Sequence, residues 1–165
     1  DWQEINVEGF TLRWAMVAGD NLAVELSAPT TGWVAVGFDP TQVMMNGNIL
    51  MGYVESKAVI MSDEWGTAST SHASDVSLGG SSDVTVDGGF ESLGSTEIQF
   101  TIPLNSGDSY DKPLVVGTTY NIILAMGANG ADNFNSPHVA AATASITIQG
   151  LAMEPYTWAA IKRIQ

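Results

Sequence analysis

Turn-forming clusters divide this chain into short pieces. Gly19-Asp20-Asn21, Asp39-Pro40, Gly79-Gly80, Asp87-Gly88-Gly89 and Asn129-Gly130 each favour a tight reversal of the backbone. Several of the intervening runs alternate as half-buried strands do. Leu22, Val24 and Leu26 share one side with Ala23 and Glu25 between them, Ile98, Phe100 and Ile102 repeat the pattern, and so do Ile146 and Ile148. Three further runs, Trp33 to Phe38, Ile49 to Val54 and Ile122 to Met126, are apolar in both phases. An antiparallel strand of that kind must be covered on both sides, by core on one face and by core or a ligand on the other. Short strands at this spacing predict an all-β, immunoglobulin-like antiparallel sandwich, with one domain spanning residues 1–165. A helix is expected only around Trp158 to Ile164. The polar stretch from Gly66 to Gly80 reads as a long surface loop.

The chemistry open to such a chain is narrow. It has no cysteine, which removes disulfides, thiolate metal sites, iron–sulfur clusters and covalent c-type haem attachment together. Eighteen acidic residues against five basic ones give a net charge of -13, a poor match to phosphate backbones or anionic lipid surfaces. Neither nucleic acid nor membrane insertion is therefore expected, and no apolar run approaches the ~20 residues a spanning helix needs. A sequence that begins at Asp1 rather than Met suggests a processed mature form or a trimmed piece of a longer chain. Two histidines and no strained Gly-x-Ser-x-Gly setting leave little for nucleophilic catalysis. The acidic groups Asp132-Asn133 and Asp108 to Asp111 lack the spacing of an EF-hand and read as solvated loops.

Sulfur and imidazole are more informative. Met44 and Met45 are adjacent just before the run Ile49 to Val54, and in an extended segment they cannot both point inward. His138 follows Pro137 beyond the apolar run that ends at Met126. A thioether and an imidazole brought from distant loops can ligate one haem iron from its two faces.

Three stretches resemble the DOMON superfamily of haem- and sugar-binding β-sandwich domains. The first is Gly32-Trp33-Val34-Ala35-Val36-Gly37-Phe38, continued by Met44-Met45-Asn46-Gly47-Asn48-Ile49-Leu50-Met51-Gly52-Tyr53-Val54. The second is Phe100 to Asp108 (FTIPLNSGD), extended through Gly117 and Tyr120 to Ala125-Met126-Gly127, and the third is the His138 segment. Together they cover roughly residues 10–150 in the family's order. Asn48 and Ile102 stand where the family commonly carries Asp and Arg.

Within the superfamily the chain is similar to the haem b cytochrome branch, of the kind found in cellobiose dehydrogenase. That resemblance implies one non-covalent haem b, with Met44 and His138 as axial ligands and Met45 as the reserve for the sulfur. Met51, Phe134 and Val139 are then expected to wall the haem. It further implies outer-sphere electron transfer rather than catalysis, a redox partner protein with a basic surface, and a periplasmic or extracellular setting. The same family permits a carbohydrate-binding module, for which Trp65 in the polar segment Asp63 to Gly66 is the candidate stacking aromatic, and also a sandwich without ligand.

Overall fold

A computed structural model describes residues 1–151 of the chain. Eleven strands and one helical turn follow in the order β1 (Gln3–Val7), β2 (Phe10–Val17), β3 (Asn21–Ala28), β4 (Val34–Phe38), β5 (Asn48–Glu55), β6 (Ala58–Ala68) and β7 (Ser71–Ser74), then α1 (Asp75–Leu78), β8 (Thr85–Ser92), β9 (Ser95–Pro103), β10 (Thr119–Gly127) and β11 (His138–Thr147). They build two antiparallel sheets, one ordered β1-β2-β3-β9-β8 and the other β11-β10-β4-β5-β6-β7. The expected β-sandwich is the result. The helix expected at Trp158 to Ile164 lies outside the described residues.

The two sheets use alternation differently. In the five-stranded sheet Leu12, Trp14, Leu22, Val24, Leu26, Ile98 and Phe100 are buried on the inner face. Its outer face carries Thr11, Arg13, Glu25, Ser27, Glu97 and Gln99. This is the usual solvated arrangement of an antiparallel sheet. In the six-stranded sheet one phase of β4, β5 and β10 (Val34, Val36, Phe38, Leu50, Ile122 and Leu124) joins that inner core. The opposite phase forms a second cluster of Trp33, Ala35, Ile49 and Met51, with Met44, Tyr53, Ala125, Ala131 and Phe134 packed against it. The runs that were apolar in both phases are thus the centre of a sheet with two apolar faces.

The segment from Gly66 to Gly80 is more ordered than its composition suggests. β6 runs on to Ala68, turns back as β7 and closes with α1. Ser74 caps that helical turn by accepting from the Ser77 N–H, and Gly79 ends it in the left-handed region at φ 97°. Short Ser- and Thr-rich edge strands have no apolar phase to reveal them, which is why this hairpin reads as a loop. Trp65 is only half-buried, but its ring meets Tyr110 edge-on at 6.3 Å instead of standing free in solvent.

Candidate functional site

The outer face of the six-stranded sheet floors a cavity of about 370 Å³, within the size range of small-molecule sites. Its floor comes from alternate residues of three neighbouring strands: Ala35 and Gly37 of β4, Ile49 and Met51 of β5, Ile123 and Ala125 of β10. Register explains the shape. Ala35 is paired with Met51 on one side and Ala125 on the other, and Gly37 with Ile49 and Ile123. Small residues in the middle strand leave a trough between larger ones. A Cβ on Gly37 would stand 2.6 Å from the Ile123 side chain, so that position has no room for anything larger.

Met44 hangs over this trough on the connection between β4 and β5. The connection is a tight turn in which the Met45 N–H donates to the Gln42 carbonyl (2.9 Å) and the Thr41 N–H to that of Met45 (2.8 Å). It is latched to the β6–β7 hairpin, with Asn46 N–H donating to the Gly66 carbonyl (2.8 Å) and Gly66 N–H to that of Gly47 (3.0 Å). The latch requires glycine, because a Cβ at position 66 would fall 1.6 Å from the Met44 carbonyl oxygen. Val43 holds a left-handed φ of 54° beside Met44. That conformation is strained for a β-branched side chain, and such strain collects at functional sites. Met44 lines the cavity, whereas Met45, its neighbour, does not.

The opposite wall is the connection between β10 and β11, which contributes Phe134, Asn135, Ser136, Pro137 and His138. Trp33 pins it: the indole N–H donates to the Ser136 hydroxyl (3.0 Å) and the Trp33 backbone N–H to the Ala131 carbonyl. The Asn133 side chain accepts from the N–H groups of Asn135 and Ser136, shaping the turn. Phe134 leans on Tyr53 with ring centroids 5.0 Å apart. His138 opens β11 opposite Gly127, where the ladder with β10 shifts register. Such a bulge re-aims the side chain beside it. Val139, expected as a wall, is 63% exposed and is absent from the cavity lining; Met51 and Phe134 do line it.

One cavity residue had no signal in the sequence. His72 of β7 borders the same space, and its Nδ1 is held by the carboxylate of Glu64, a side chain only 7% exposed. Strand pairing sets Glu64 across from Ser74 and Gly66 across from His72, which brings both partners to the cavity side. The Glu64 hydrogen bond raises the His72 pKa above its ordinary value, against the opposing effect of burial. The imidazolium form is favoured accordingly.

Beneath this hairpin, on the inner side of the sheet, lies a second polar group. Asp63 and Asp75 are 4% and 0% exposed, and with Asp111 they bring one carboxylate oxygen each to within 4.8 Å of one another. Burial pushes the pKa of Asp63 up to about 7 and that of Asp75 up to about 8, with added repulsion from neighbouring carboxylates. Asp111, expected in a solvated loop, is half-buried against them.

The family described as the DOMON domain matches residues 7–127 of this chain. No curated protein matches it. Among solved structures, the cytochrome b domain of pyranose dehydrogenase from Coprinopsis cinerea is similar with a TM-score of 0.60. Identity is 15%, over 83% of this chain and 75% of that one. The cytochrome domain of Myriococcum thermophilum cellobiose dehydrogenase gives a TM-score of 0.64 at 8% identity, over 90% of this chain and 82% of the other. At such identities the likeness concerns the fold.

Proposed function

This chain belongs to the DOMON domain family, and we propose that it is a b-type cytochrome holding one non-covalent haem b in the cavity on the outer face of its six-stranded sheet. The observation that carries this reading is that Met44 and His138, far apart in sequence and on separate connections, line one cavity with an apolar floor. The lining suits the group. Ala35, Gly37, Ala125, Ile49, Met51 and Ile123 present an apolar trough, Phe134 adds an aromatic edge, and the two walls offer a thioether and an imidazole. With no cysteine to anchor a macrocycle, apolar contact must hold it.

Each residue then has a task. Met44 supplies the sulfur ligand, and Gly66 fixes the turn that carries it. His138 supplies the nitrogen ligand from the bulge at the start of β11. His72 is a rival donor, because a histidine held by a buried carboxylate is the usual arrangement of a metal ligand. His72, however, sits on the hairpin to which the Met44 turn is latched, whereas His138 stands on the opposite wall of the cavity. His72 therefore serves better as a positive charge beside the carboxylates that haem carries at its edge. Haem supplies a one-electron iron couple when bound. A thioether and an imidazole both bound to the iron would leave it no open coordination position, which favours outer-sphere electron transfer over catalysis. A net charge of -13 suits a redox partner with a basic surface, whose association weakens with added salt.

A pyridine haemochromogen assay on the natively expressed protein tests this reading. One haem b per chain is expected. Absence of haem, with binding to a glycan instead, would favour the carbohydrate module that the family also permits. The aromatic singled out for sugar stacking, Trp65, is already engaged by Tyr110.

A further inference from the structure

We propose that Asp63 of β6, Asp75 of α1 and Asp111 of the connection between β9 and β10 form a binding site for a hard divalent cation, Ca²⁺ above others. Three carboxylates alone would be an unremarked acidic cluster. What distinguishes these is that two of them are buried and unsatisfied. Asp75 is 0% exposed, and among the described residues neither of its carboxylate oxygens has a hydrogen-bond partner. Asp63 is 4% exposed; its Oδ2 accepts from the Asp83 N–H (2.7 Å), while its Oδ1 has no partner. One carboxylate oxygen from each of the three residues lies within 4.8 Å of the others', and the Oδ2 of Asp111 accepts from the Ser106 hydroxyl.

Carboxylates in that position are costly. A buried charge without a partner must be neutralised by a proton or by a counter-ion. Among the described residues no cation pairs with these carboxylates: Lys112, next to Asp111 in sequence, turns to Asp39 at 3.4 Å, and Arg13 is engaged by Glu4 and Glu25. Further carboxylates crowd the cluster instead. Asp83 and Asp108 both add repulsion at Asp63 and Asp75, as does Asp111. Asp108 is committed to the loop itself, accepting from the N–H groups of Ser81 (2.5 Å) and Tyr110 (2.9 Å).

The donor set decides the ion. Oxygen alone, with no nitrogen or sulfur in the cluster, selects hard cations over zinc or copper. Ca²⁺ accepts irregular shells of 6–8 oxygens, whereas Mg²⁺ demands a near-ideal octahedron and keeps its waters. Three carboxylates from three unrelated elements make an irregular shell. Asp111, half-buried, gives the ion its way in. A cation here would tie the β6–β7 hairpin and α1 to the connection between the two sheets.

The experiment is calorimetric titration of chelator-stripped protein with CaCl₂ and, separately, MgCl₂ up to ~10 mM, a ceiling set by the weakest extracellular calcium modules. Thermal unfolding with and without the ion accompanies it. One Ca²⁺ per chain is expected, bound more tightly than Mg²⁺, with an upward shift in Tm. Asp75→Asn keeps the shape and should weaken Ca²⁺ binding at least ~10-fold, without lowering the Tm of the stripped protein. Asp111→Asn, at a half-buried position, gives the same loss should the Asp75 variant not fold. Asp87→Asn, on β8, should leave binding unchanged. No heat and no Tm shift with Ca²⁺, or a wild-type response in both Asp75→Asn and Asp111→Asn, would overturn the proposal.

Discussion

Asp63 and Glu64 are neighbours in the chain and belong to different worlds. Glu64 faces the outer side of the sheet, where His72, at the border of the cavity, answers its charge. Asp63 faces inward, where one oxygen accepts from the Asp83 N–H and the charged groups around it are further carboxylates. Both are nearly sealed from solvent, at 4% and 5% exposure. The strand's two-residue period separates them, and the β6–β7 hairpin therefore serves two sites at once. On its outer side it latches the turn that carries Met44, and on its inner side it presents Asp63, beside Asp75 of α1. One burial is settled within the protein and the other calls for something from outside it.

The largest effect on this comparison should come from Gly66→Ala, which attacks the outer side alone. The added methyl collides with the Met44 carbonyl, so the variant should lose about 3 kcal/mol in urea unfolding. Its Met44 turn should also detach from the hairpin, and the inner cluster should still respond to Ca²⁺.

The inner side is probed by pH. Burial raises the folded pKa values of Asp63 and Asp75 above the ordinary carboxylate value of 3.8, to about 7 and about 8. The folded state therefore holds protons that the unfolded state releases between pH 4 and 8. Stability contributed by those protonated acids is present at low pH and is lost as pH rises through that window. Chelator-stripped protein should drop in Tm by roughly 5 °C between pH 5 and pH 8, about 2 kcal/mol for a chain of this size. Asp75→Asn should flatten that slope.

His72 behaves in the opposite setting. Its pKa is raised by Glu64, so the ion pair stabilises fully below the unfolded value of about 6.5 and fades as pH rises past the folded value. Glu64→Gln should cost about 1 kcal/mol at pH 6 and less at pH 9. The smallest effect is at the far wall. Ser136→Ala removes the acceptor of the Trp33 indole N–H and should cost about 0.5–1 kcal/mol in chemical denaturation, with the β6–β7 hairpin untouched.

The same alternation explains which features the sequence made legible. Central strands were visible because apolar residues in both phases need cover on both sides, and Trp33 to Phe38 has exactly one strand's length of them. The trough was less visible: that Ala35, Gly37 and Ala125 lie side by side follows from register, which no local pattern states. Val139 shows the limit of adjacency. It sits next to His138, but at a register shift the two side chains need not serve one surface. His72 and Glu64 lay in a stretch without an apolar phase, and only the pairing of β6 with β7 brings them together. Nothing local marks Asp63 as buried, since the groups that meet it come from α1 and a loop more than forty residues later. Sequence alternation tells that a side chain is inside or outside, and it is silent about who waits there.

The central claim is that the outer cavity is a haem site with a sulfur and a nitrogen ligand. It is tested most directly by the reduced absorption spectrum of haem-loaded protein, compared with Met44→Ala, Met45→Ala, His72→Ala and His138→Ala. The account predicts sharp Soret and α bands in the wild type, lost or shifted in Met44→Ala and His138→Ala and kept in the other two. A spectrum indifferent to both Met44 and His138 would contradict it.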